Sequence, residues 1–236
     1  HTLRELVSAG HETASVDVAQ PGPVAADLDD VKSVRGDVTD PIEVYDAFVD
    51  FEPDRVIHLA AMLGRACRED PRRAFEVNVG GTFNVLEAAR KASSNPAVAF
   101  CSTNKVYGHN VNDIPVKETD QRYEYDHPDF QYGIPEPLSI DDCEHTPYGA
   151  SKLAADLYVQ DYAYRNEVDA AVFRMSCIYG TRQFGVEDQG WLAHFILSTL
   201  KDEGLTIYGD GKQVRDALWV TDLVHAFDAF IQNRHD

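Results

Sequence analysis

Val98-Ala99-Phe100-Cys101-Ser102-Thr103 is a short apolar run that ends in two hydroxyl residues. A run of this length and composition predicts a buried β-strand. In open α/β sheets, ligands bind at the carboxyl ends of the strands. We therefore expect Ser102 or Thr103 to stand where a substrate hydroxyl can be held.

A tyrosine and a lysine lie four residues apart further along the chain, in Thr146-Pro147-Tyr148-Gly149-Ala150-Ser151-Lys152. The surrounding sequence predicts a helix, on which residues i and i+4 share one face. A nearby ammonium favours the charged form of a phenol and lowers its pKa from the ordinary value of about 10. Tyr148 is therefore a candidate general base for a hydroxyl proton, with Lys152 as its neighbour.

Strands and helices alternate along much of the chain. We predict strands at 14–18, 33–37, 55–60, 97–103 and 170–176, and helices at 2–9, 41–50, 71–93 and 147–166. Such alternation indicates an α/β fold in which crossover helices connect parallel strands. Residues 109–145 are the exception, because they are too long for a plain connection. We expect this segment to be functional or disordered.

The strand end and the Tyr-Lys pair, together with Asn104-Lys105-Val106-Tyr107-Gly108, resemble the extended short-chain dehydrogenase/reductase family. The resemblance implies a doubly wound parallel sheet (Rossmann fold) and a tightly held NAD. It also implies a nucleotide-activated sugar as the substrate. Aligned on Val106-Tyr107-Gly108, it places Thr103, not Ser102, at the catalytic Ser/Thr position beside Tyr148 and Lys152.

Several segments match the parts of this family that hold the cofactor. Asp17 ends a predicted strand, where such folds bind the adenosine ribose hydroxyls. Residues 36–40 resemble the family's adenine contact, and residues 59–61 end a strand in small residues that a cofactor can approach. Residues 78–82 match the helix beneath the site. The expected cofactor-binding residues are Asp17, Asp37, Val38, Leu59, Ala60, Ala61, Asn78, Tyr148 and Lys152.

One motif of the family is missing from this sequence: the first strand with its glycine-rich turn, which holds the pyrophosphate. Residues 1–7 resemble the inside of the helix that follows that turn. We expect a truncated start, because loss of a central strand leaves its neighbours with unpaired backbone groups. The alternative is a protein that does not bind NAD in the usual way. With a truncated start, residues 1–177 would be an N-terminally truncated NAD-binding Rossmann domain, and residues 178–236 the start of a C-terminally truncated substrate-binding lobe with a return to the core.

Five segments narrow the resemblance to one branch of the family, the CDP-paratose 2-epimerases: residues 101–108, 118–123, 180–185, 188–191 and 211–216. This resemblance implies that Arg215 binds the nucleotide diphosphate, for which a guanidinium fork is well suited. The other expected substrate-binding residues are Asn104, Arg182, Gln183, Asp188 and Gln189. An Arg-Gln pair in a loop could equally be a structural clamp.

The implied reaction is inversion of C2 of a CDP-deoxyhexose through a transient keto sugar. A secondary alcohol carbon has no acidic proton, so NAD must accept its hydride and return it to the other face. Tyr148 would take the hydroxyl proton, Lys152 would hold the ribose and lower the pKa of Tyr148, and Thr103 would bond the reacting oxygen.

Three alternatives stay open. A UDP-sugar 4-epimerase would share the same core. A nucleotide-sugar 4,6-dehydratase would carry an acidic pair just after the catalytic threonine, where this chain has Asn104-Lys105. A non-catalytic dinucleotide-binding protein would not need Thr103, Tyr148 and Lys152 all intact.

The chain is strongly acidic, with 40 Asp and Glu against 21 Lys and Arg and a formal net charge of −19. This balance argues against binding nucleic acid or an anionic membrane through a basic face. We expect a halophilic protein, in which salt screens the repulsion between hydrated carboxylates; the alternative is an acidic enzyme with no salt requirement. The four cysteines have no metal-binding spacing, so we expect no metal and a reducing cytoplasm.

We also expect a homodimer or homotetramer, because in this family the helices that correspond to 71–93 and 147–166 pack against a second subunit. The alternative is that the apolar positions of both helices cover the sheet. Those positions are Phe83, Val85, Leu86, Leu153, Leu157, Val159 and Tyr162.

Overall fold

The structure is a computed structural model that describes residues 1–19, 28–187 and 189–232. Its helices are α1 (Thr2–Ser8), α2 (Pro41–Phe51), α3 (Gly64–Glu69), α4 (Pro71–Phe75), α5 (Thr82–Lys91), α6 (Pro147–Tyr164), α7 (Trp191–Leu200) and α8 (Val220–Gln232). Its strands are β1 (Thr13–Asp17), β2 (Val31–Arg35), β3 (Arg55–His58), β4 (Ala97–Cys101), β5 (Val116–Glu118), β6 (Tyr123–Tyr125), β7 (Ala170–Phe173), β8 (Cys177–Tyr179) and β9 (Ala217–Trp219). A π-helical segment (Glu76–Gly81) joins α4 to α5, and 3-10 helices span Asn104–Asn112 and Pro128–Phe130.

The strands pair mainly in parallel. β3, β4 and β7 form a three-stranded parallel sheet in that order, and β1 pairs with β2 in a second parallel sheet. β8 pairs with β9 in parallel, whereas β5 and β6 form an antiparallel hairpin. Among the described residues, no backbone ladder joins the β1–β2 pair to the β3–β4–β7 sheet. The predicted α/β fold with parallel strands is confirmed.

β4 is the centre of the core, and helices cover both of its faces. Val98 and Phe100 pack in a cluster with residues of α2, α5 and α6. Ala99 points the other way, because side chains alternate along a strand, and it packs against Phe227 of α8. Burial of a side chain such as that of Phe100, which is fully enclosed, contributes roughly 1.5–3 kcal/mol. Cover on both faces is what a doubly wound sheet requires, as predicted.

The predicted continuous helix at 71–93 is in fact three segments. The Asp70 carboxylate caps α4 by accepting a hydrogen bond from the backbone N–H of Arg73 at 2.9 Å. The chain then widens into the π-helical segment before it returns to α-helix at Thr82. A Cβ atom on Gly81 would lie only 2.6 Å from Cγ2 of Val38, so the helix and the loop after β2 approach closely there. Apolar periodicity does not distinguish a short π-helical turn from an α-helix.

Residues 109–145 have secondary structure of their own. The β5–β6 hairpin docks on residues 208–213, where Nζ of Lys212 donates to Glu118 at 2.6 Å. The hydroxyl of Tyr123 donates to Asp210, also at 2.6 Å. The long segment therefore contacts the loop that leads to Arg215.

Most of the apolar side chains expected at a subunit interface pack inside the chain's own core. Val85, Leu86, Val159 and Tyr162 are buried in the core beside β4, so the prediction that they meet a partner is wrong for these four. They point inward because they lie on the helix faces that cover the sheet. Phe83 and Leu157 are 39% and 47% exposed. No helix in the described ranges is both long and apolar enough to cross a membrane.

Candidate active site

The two hydroxyl residues after β4 have different partners. Ser102 donates to the carboxylate of Asp156 at 2.6 Å and points into the protein. Thr103 caps the 3-10 helix that follows, where its Oγ1 accepts a hydrogen bond from the backbone N–H of Lys105 at 3.3 Å. The Thr103 side chain also shares a hydrogen bond with Tyr148. The structure thus brings Thr103, and not Ser102, to the phenol.

Tyr148 lies in the first turn of α6. Thr146 caps this helix by accepting from the backbone N–H of Gly149 at 3.1 Å, and Pro147 occupies the first helical position, where its missing N–H costs nothing. A Cβ atom on Gly149 would lie 2.7 Å from the carbonyl oxygen of Lys105. Only glycine permits this approach, which holds the start of the helix against the segment that follows Thr103.

Burial raises the pKa of Tyr148, while the hydrogen bond from Thr103 lowers it. The expected net lowering is therefore wrong for this structure, in which the pKa of Tyr148 is raised. Nζ of Lys152 lies over the ring of Phe100, 4.1 Å from its centroid. The loss of hydration raises the pKa of the phenol by more than the hydrogen bond with Thr103 lowers it.

Lys152 is almost completely enclosed, with 2% of its surface exposed. Burial lowers the pKa of Lys152 to about 8. Three groups oppose that shift: Cys101, Asp156 and Cys67. The chain therefore encloses, one helical turn after Tyr148, an ammonium that can lose its charge within about a unit of neutral pH.

Asn78 lies beneath the site in the π-helical segment and is fully buried. Its Oδ1 accepts from the backbone N–H of Met62 at 2.8 Å, and its Nδ2 donates to the Met62 carbonyl at 3.1 Å. The same Nδ2 donates to Oγ of Ser151 at 2.9 Å. Asn78 thus joins the loop after β3 to α6 at Ser151, the residue just before Lys152. Its contact with a cofactor stays a prediction.

A cavity of about 380 Å³ opens beside Tyr148. Three cationic side chains line it: Arg65 and Arg68 of α3, and Lys105. None of the described residues that line it is acidic, although the chain has nearly two acidic residues for each basic one. Leu63, Gly64, Val186 and Gln189 complete the lining. The arrangement suits an anionic or polar ligand next to the phenol.

The expected adenosine contacts follow β1, β2 and β3. Asp17 ends β1, and its Oδ1 accepts from the backbone N–H of Ala19 at 2.9 Å. Asp37 follows β2, and its carboxylate accepts a hydrogen bond from the backbone N–H of Thr39. This hydrogen bond is the main reason that the pKa of Asp37 is lowered. Arg73 also forms an ion pair with Asp37 at 2.7 Å. Val38 accepts at its carbonyl from the Asn84 side chain. Leu59, Ala60 and Ala61 follow β3; Leu59 is 49% exposed, and both alanines are partly exposed.

The expected substrate-binding residues are not all brought to the cavity. Gln189 lines it, and Asn104 lies next to Thr103 with its Nδ2 donating to Ser176 at 3.2 Å. Gln183 donates to the carbonyl of Ile178 at 3.0 Å, while its Oε1 is buried without a hydrogen-bond partner among the described residues. Arg182 and Arg215 are exposed and do not line the cavity, and Arg215 donates to the carbonyl of Val214. Asp188 lies outside the described residues.

Sequence reasoning missed two groups of residues. The cationic lining was missed because α3 is a short helix without a clear apolar period, although Lys105 lies within a motif already recognised. The buried pair of Asp156 and Arg174 was also missed. Asp156 follows Lys152 by four residues on the same helix, a spacing that points to Asp156 but gives no sign of its partner Arg174. Within the described ranges, no cluster of three or more His, Cys, Asp or Glu side chains is arranged to hold a metal ion.

Comparison with known proteins gives three findings. A sequence-family model described as GDP-mannose 4,6 dehydratase matches residues 5–236. The CDP-paratose 2-epimerase of Salmonella typhi is 38% identical over 87% of this chain and 61% of that protein, and a putative UDP-glucose 4-epimerase of Methanocaldococcus jannaschii is 35% identical over 72% and 50%. The UDP-glucose 4-epimerase of Thermus thermophilus, solved in complex with NAD, matches with a TM-score of 0.77 at 28% identity, over 98% of this chain and 70% of that one. The chain thus spans between half and two thirds of the length of these two sequence relatives.

Proposed function

Because the chain belongs to the extended short-chain dehydrogenase/reductase family of NAD-dependent epimerases and dehydratases, we propose that it is a nucleotide-sugar epimerase. The substrate we propose is a CDP-deoxyhexose, with inversion at C2. This choice rests on the similarity to the Salmonella typhi protein, together with the residues around Thr103. The broad proposal is a nucleotide-sugar epimerase, and the specific proposal is the identity of the sugar and of the inverted carbon.

The residues present fit NAD. Asp17 ends a parallel strand with a carboxylate that has one oxygen bonded to a backbone N–H, which leaves acceptor capacity for ribose hydroxyls. Partly exposed Ala60 and Ala61 offer a small-residue surface at the next strand end. Lys152 supplies an enclosed cation for a second ribose. We propose that these residues, with Asp37 and Val38, hold NAD; bound NAD would accept a hydride from the carbinol carbon and return it to the opposite face.

The chain's own residues would handle the proton. Tyr148 takes the hydroxyl proton at its phenolic oxygen, and Thr103 hydrogen-bonds the same region and fixes the phenol. The protonated Lys152 stabilises the negative charge that develops there once substrate and cofactor have displaced water. After the keto sugar has turned within the cavity, Tyr148 returns the proton.

The observation that carries the proposal is the hydrogen bond between Thr103 and Tyr148 at a cavity that Lys105 lines. A dehydratase needs an acidic side chain there to protonate the departing hydroxyl, and the two residues after Thr103 are Asn104 and Lys105. A 4-epimerase is the second candidate, favoured by the similarity to UDP-glucose 4-epimerases.

One labelling experiment separates these reactions. CDP-tyvelose or CDP-paratose carrying deuterium at C2 is incubated with the protein, and the products are analysed by NMR and mass spectrometry. We expect interconversion of the two sugars with deuterium retained at C2, because the same hydride leaves and returns. Turnover of UDP-glucose to UDP-galactose instead supports the 4-epimerase, and loss of water from any nucleotide sugar contradicts epimerisation.

We also propose that the protein self-associates through the exposed side chains on α5 and α6. Phe83 packs edge-on against Tyr158 with a centroid distance of 5.6 Å, and both rings remain more than a third exposed, as does Leu157. Light scattering at high salt should give a dimer or tetramer. A monomer at micromolar concentration contradicts this part of the proposal.

A further inference from the structure

A fully buried carboxylate lies behind the candidate active site. Asp156 belongs to α6, one turn after Lys152, and has no exposed surface. Its two oxygens accept from Oγ of Ser102 at 2.6 Å, from Nε2 of Gln160 at 2.5 Å, and from Nε and Nη2 of Arg174 at 3.0 Å each. It does not line the cavity beside Tyr148, so it has no access to substrate there.

Arg174 extends this contact to two further parts of the chain. It follows β7, and its Nη1 donates to the carbonyl of Glu136 at 3.0 Å and to the hydroxyl of Tyr107 at 3.4 Å. Its guanidinium carbon lies 5.2 Å from the centroid of the Tyr107 ring. One side chain therefore connects the catalytic helix, the 3-10 helix after Thr103 and the segment 109–145.

Stability alone is a weak explanation for such a pair. Removing two charges from water costs several kcal/mol for each ion, and well-packed apolar residues can often replace a buried ion pair without loss. The pair instead fixes the positions of residues next to the candidate catalytic groups. Ser102, which Asp156 holds, is bonded covalently to Thr103, and Lys152 lies one helical turn from Asp156.

We infer that Asp156 and Arg174 are positioning residues for the reaction, an inference that rests on the function proposed above. The pair fixes the end of β4 against α6, and so sets Thr103 and Lys152 relative to Tyr148. Through Glu136 and Tyr107 it ties residues 109–145 to the same arrangement.

The effect of the Asp156–Arg174 pair can be measured through the protonation of Lys152, because few of the neighbouring groups in the described ranges are charged. Cys101 of β4 and Cys67 of α3 face Lys152, but the pKa of Cys101 is raised to about 11 and that of Cys67 is also raised, so both thiols are neutral near pH 7. His58 of β3 has its pKa lowered to about 3 and is neutral as well. Tyr148 is protonated. Asp156, the acidic partner of Arg174, is the remaining neighbour that favours the ammonium form of Lys152.

The test follows Lys152 by NMR in the NAD-loaded protein, with 13C-labelled lysine titrated from pH 6 to 11. Asp156→Asn should move the Lys152 midpoint to lower pH, and the alkaline limb of the kcat profile should move with it. Asp161→Asn is the matched control, because it breaks an exposed pair with Arg165 on the same helix and should leave both unchanged. An unshifted Lys152 midpoint in Asp156→Asn, with kcat lowered equally at every pH, would overturn the inference.

Two milder variants apply if Asp156→Asn fails to fold. Arg174→Lys keeps the charge but loses the planar fork, and Ser102→Ala removes one hydrogen bond and leaves the ion pair. Each should lower kcat by about tenfold or more through misplacement of the reacting groups, with the NAD content unchanged. Wild-type kcat in both variants would contradict positioning. The NMR measurement needs no substrate, so a wild-type protein inactive on nucleotide sugars would count against the proposed function alone.

Discussion

Nζ of Lys152 lies 4.1 Å from the ring centroid of Phe100, inside the core and not in water. The ring face offers a cation–π contact, which is worth about 2 kcal/mol when desolvated. Burial still dominates, because the pKa of Lys152 is lowered to about 8 from 10.5. Between these two pH values the unfolded chain binds more protons than the folded chain, so the free energy of unfolding rises with pH.

The first prediction concerns the stability cost of this lysine. Lys152→Met should raise the free energy of unfolding at pH 7 by at most roughly 3 kcal/mol, because a pKa unit corresponds to about 1.4 kcal/mol. The gain should shrink as the pH rises from about 8 toward 10.5, where the wild-type side chain is neutral when folded. Urea unfolding at pH 7 and pH 10 measures it. Lys91→Met, at an exposed position, is the control, and a gain that is equal at both pH values would contradict the pKa.

The second prediction concerns Tyr148. Tyr148→Phe removes only the phenolic oxygen, so the fold and the NAD content should persist while turnover falls by about 10²–10⁴. Tyr158→Phe is the matched control, since Tyr158 lies on the same helix with its ring at the surface. Steady-state kinetics and circular dichroism check both variants. If Tyr148→Phe keeps more than half of wild-type turnover, Tyr148 is not the base.

The third prediction concerns the cationic lining of the cavity. Arg68→Met should raise KM for a nucleotide sugar tenfold or more, because a hydrogen bond to a charged group contributes about 1.5–3 kcal/mol. The control is Arg72→Met, whose side chain is 83% exposed and pairs with Glu76 outside the cavity. Equal KM values for the two variants would mean that the substrate's anionic groups bind elsewhere.

The fourth prediction concerns Asn78. Asn78→Ala leaves the backbone groups of Met62 and the hydroxyl of Ser151 without this partner. Each buried group left unpaired costs about 1–3 kcal/mol, so the urea midpoint should fall clearly. Asn84→Ala, which removes a single bond to the Val38 carbonyl, should cost less. A larger loss for Asn84→Ala would show that the bridge beneath the site is not a main contact.

The fifth prediction concerns cofactor choice. The Asp17 carboxylate would accept hydrogen bonds from ribose hydroxyls but repel a 2′-phosphate. The double variant Asp17→Ala with Val18→Arg should therefore shift preference from NAD toward NADP, measured as the ratio of dissociation constants. Wild-type protein that binds NADP as tightly as NAD would place Asp17 away from the ribose.

The sequence by itself determined which segments form the parallel α/β layers and which residues are candidates for the chemistry. Local periodicity can be read directly from the sequence. It identifies short apolar runs such as residues 97–101, and it identifies the i,i+4 pair of Tyr148 and Lys152. The residues at these strand and helix ends, together with Asn104-Lys105-Val106-Tyr107-Gly108, were enough to identify the family.

The tertiary structure alone decided how the candidates meet. It sends Ser102 to Asp156 and Thr103 to Tyr148, although the two hydroxyls are adjacent in sequence. It also reverses the expected direction of the Tyr148 pKa shift, because desolvation depends on how much protein surrounds a group, and spacing along a helix does not report that. The ion pair of Asp156 and Arg174 likewise cannot be predicted from the sequence. Its partners come from separate segments, which touch only when the sheet and its helices have packed.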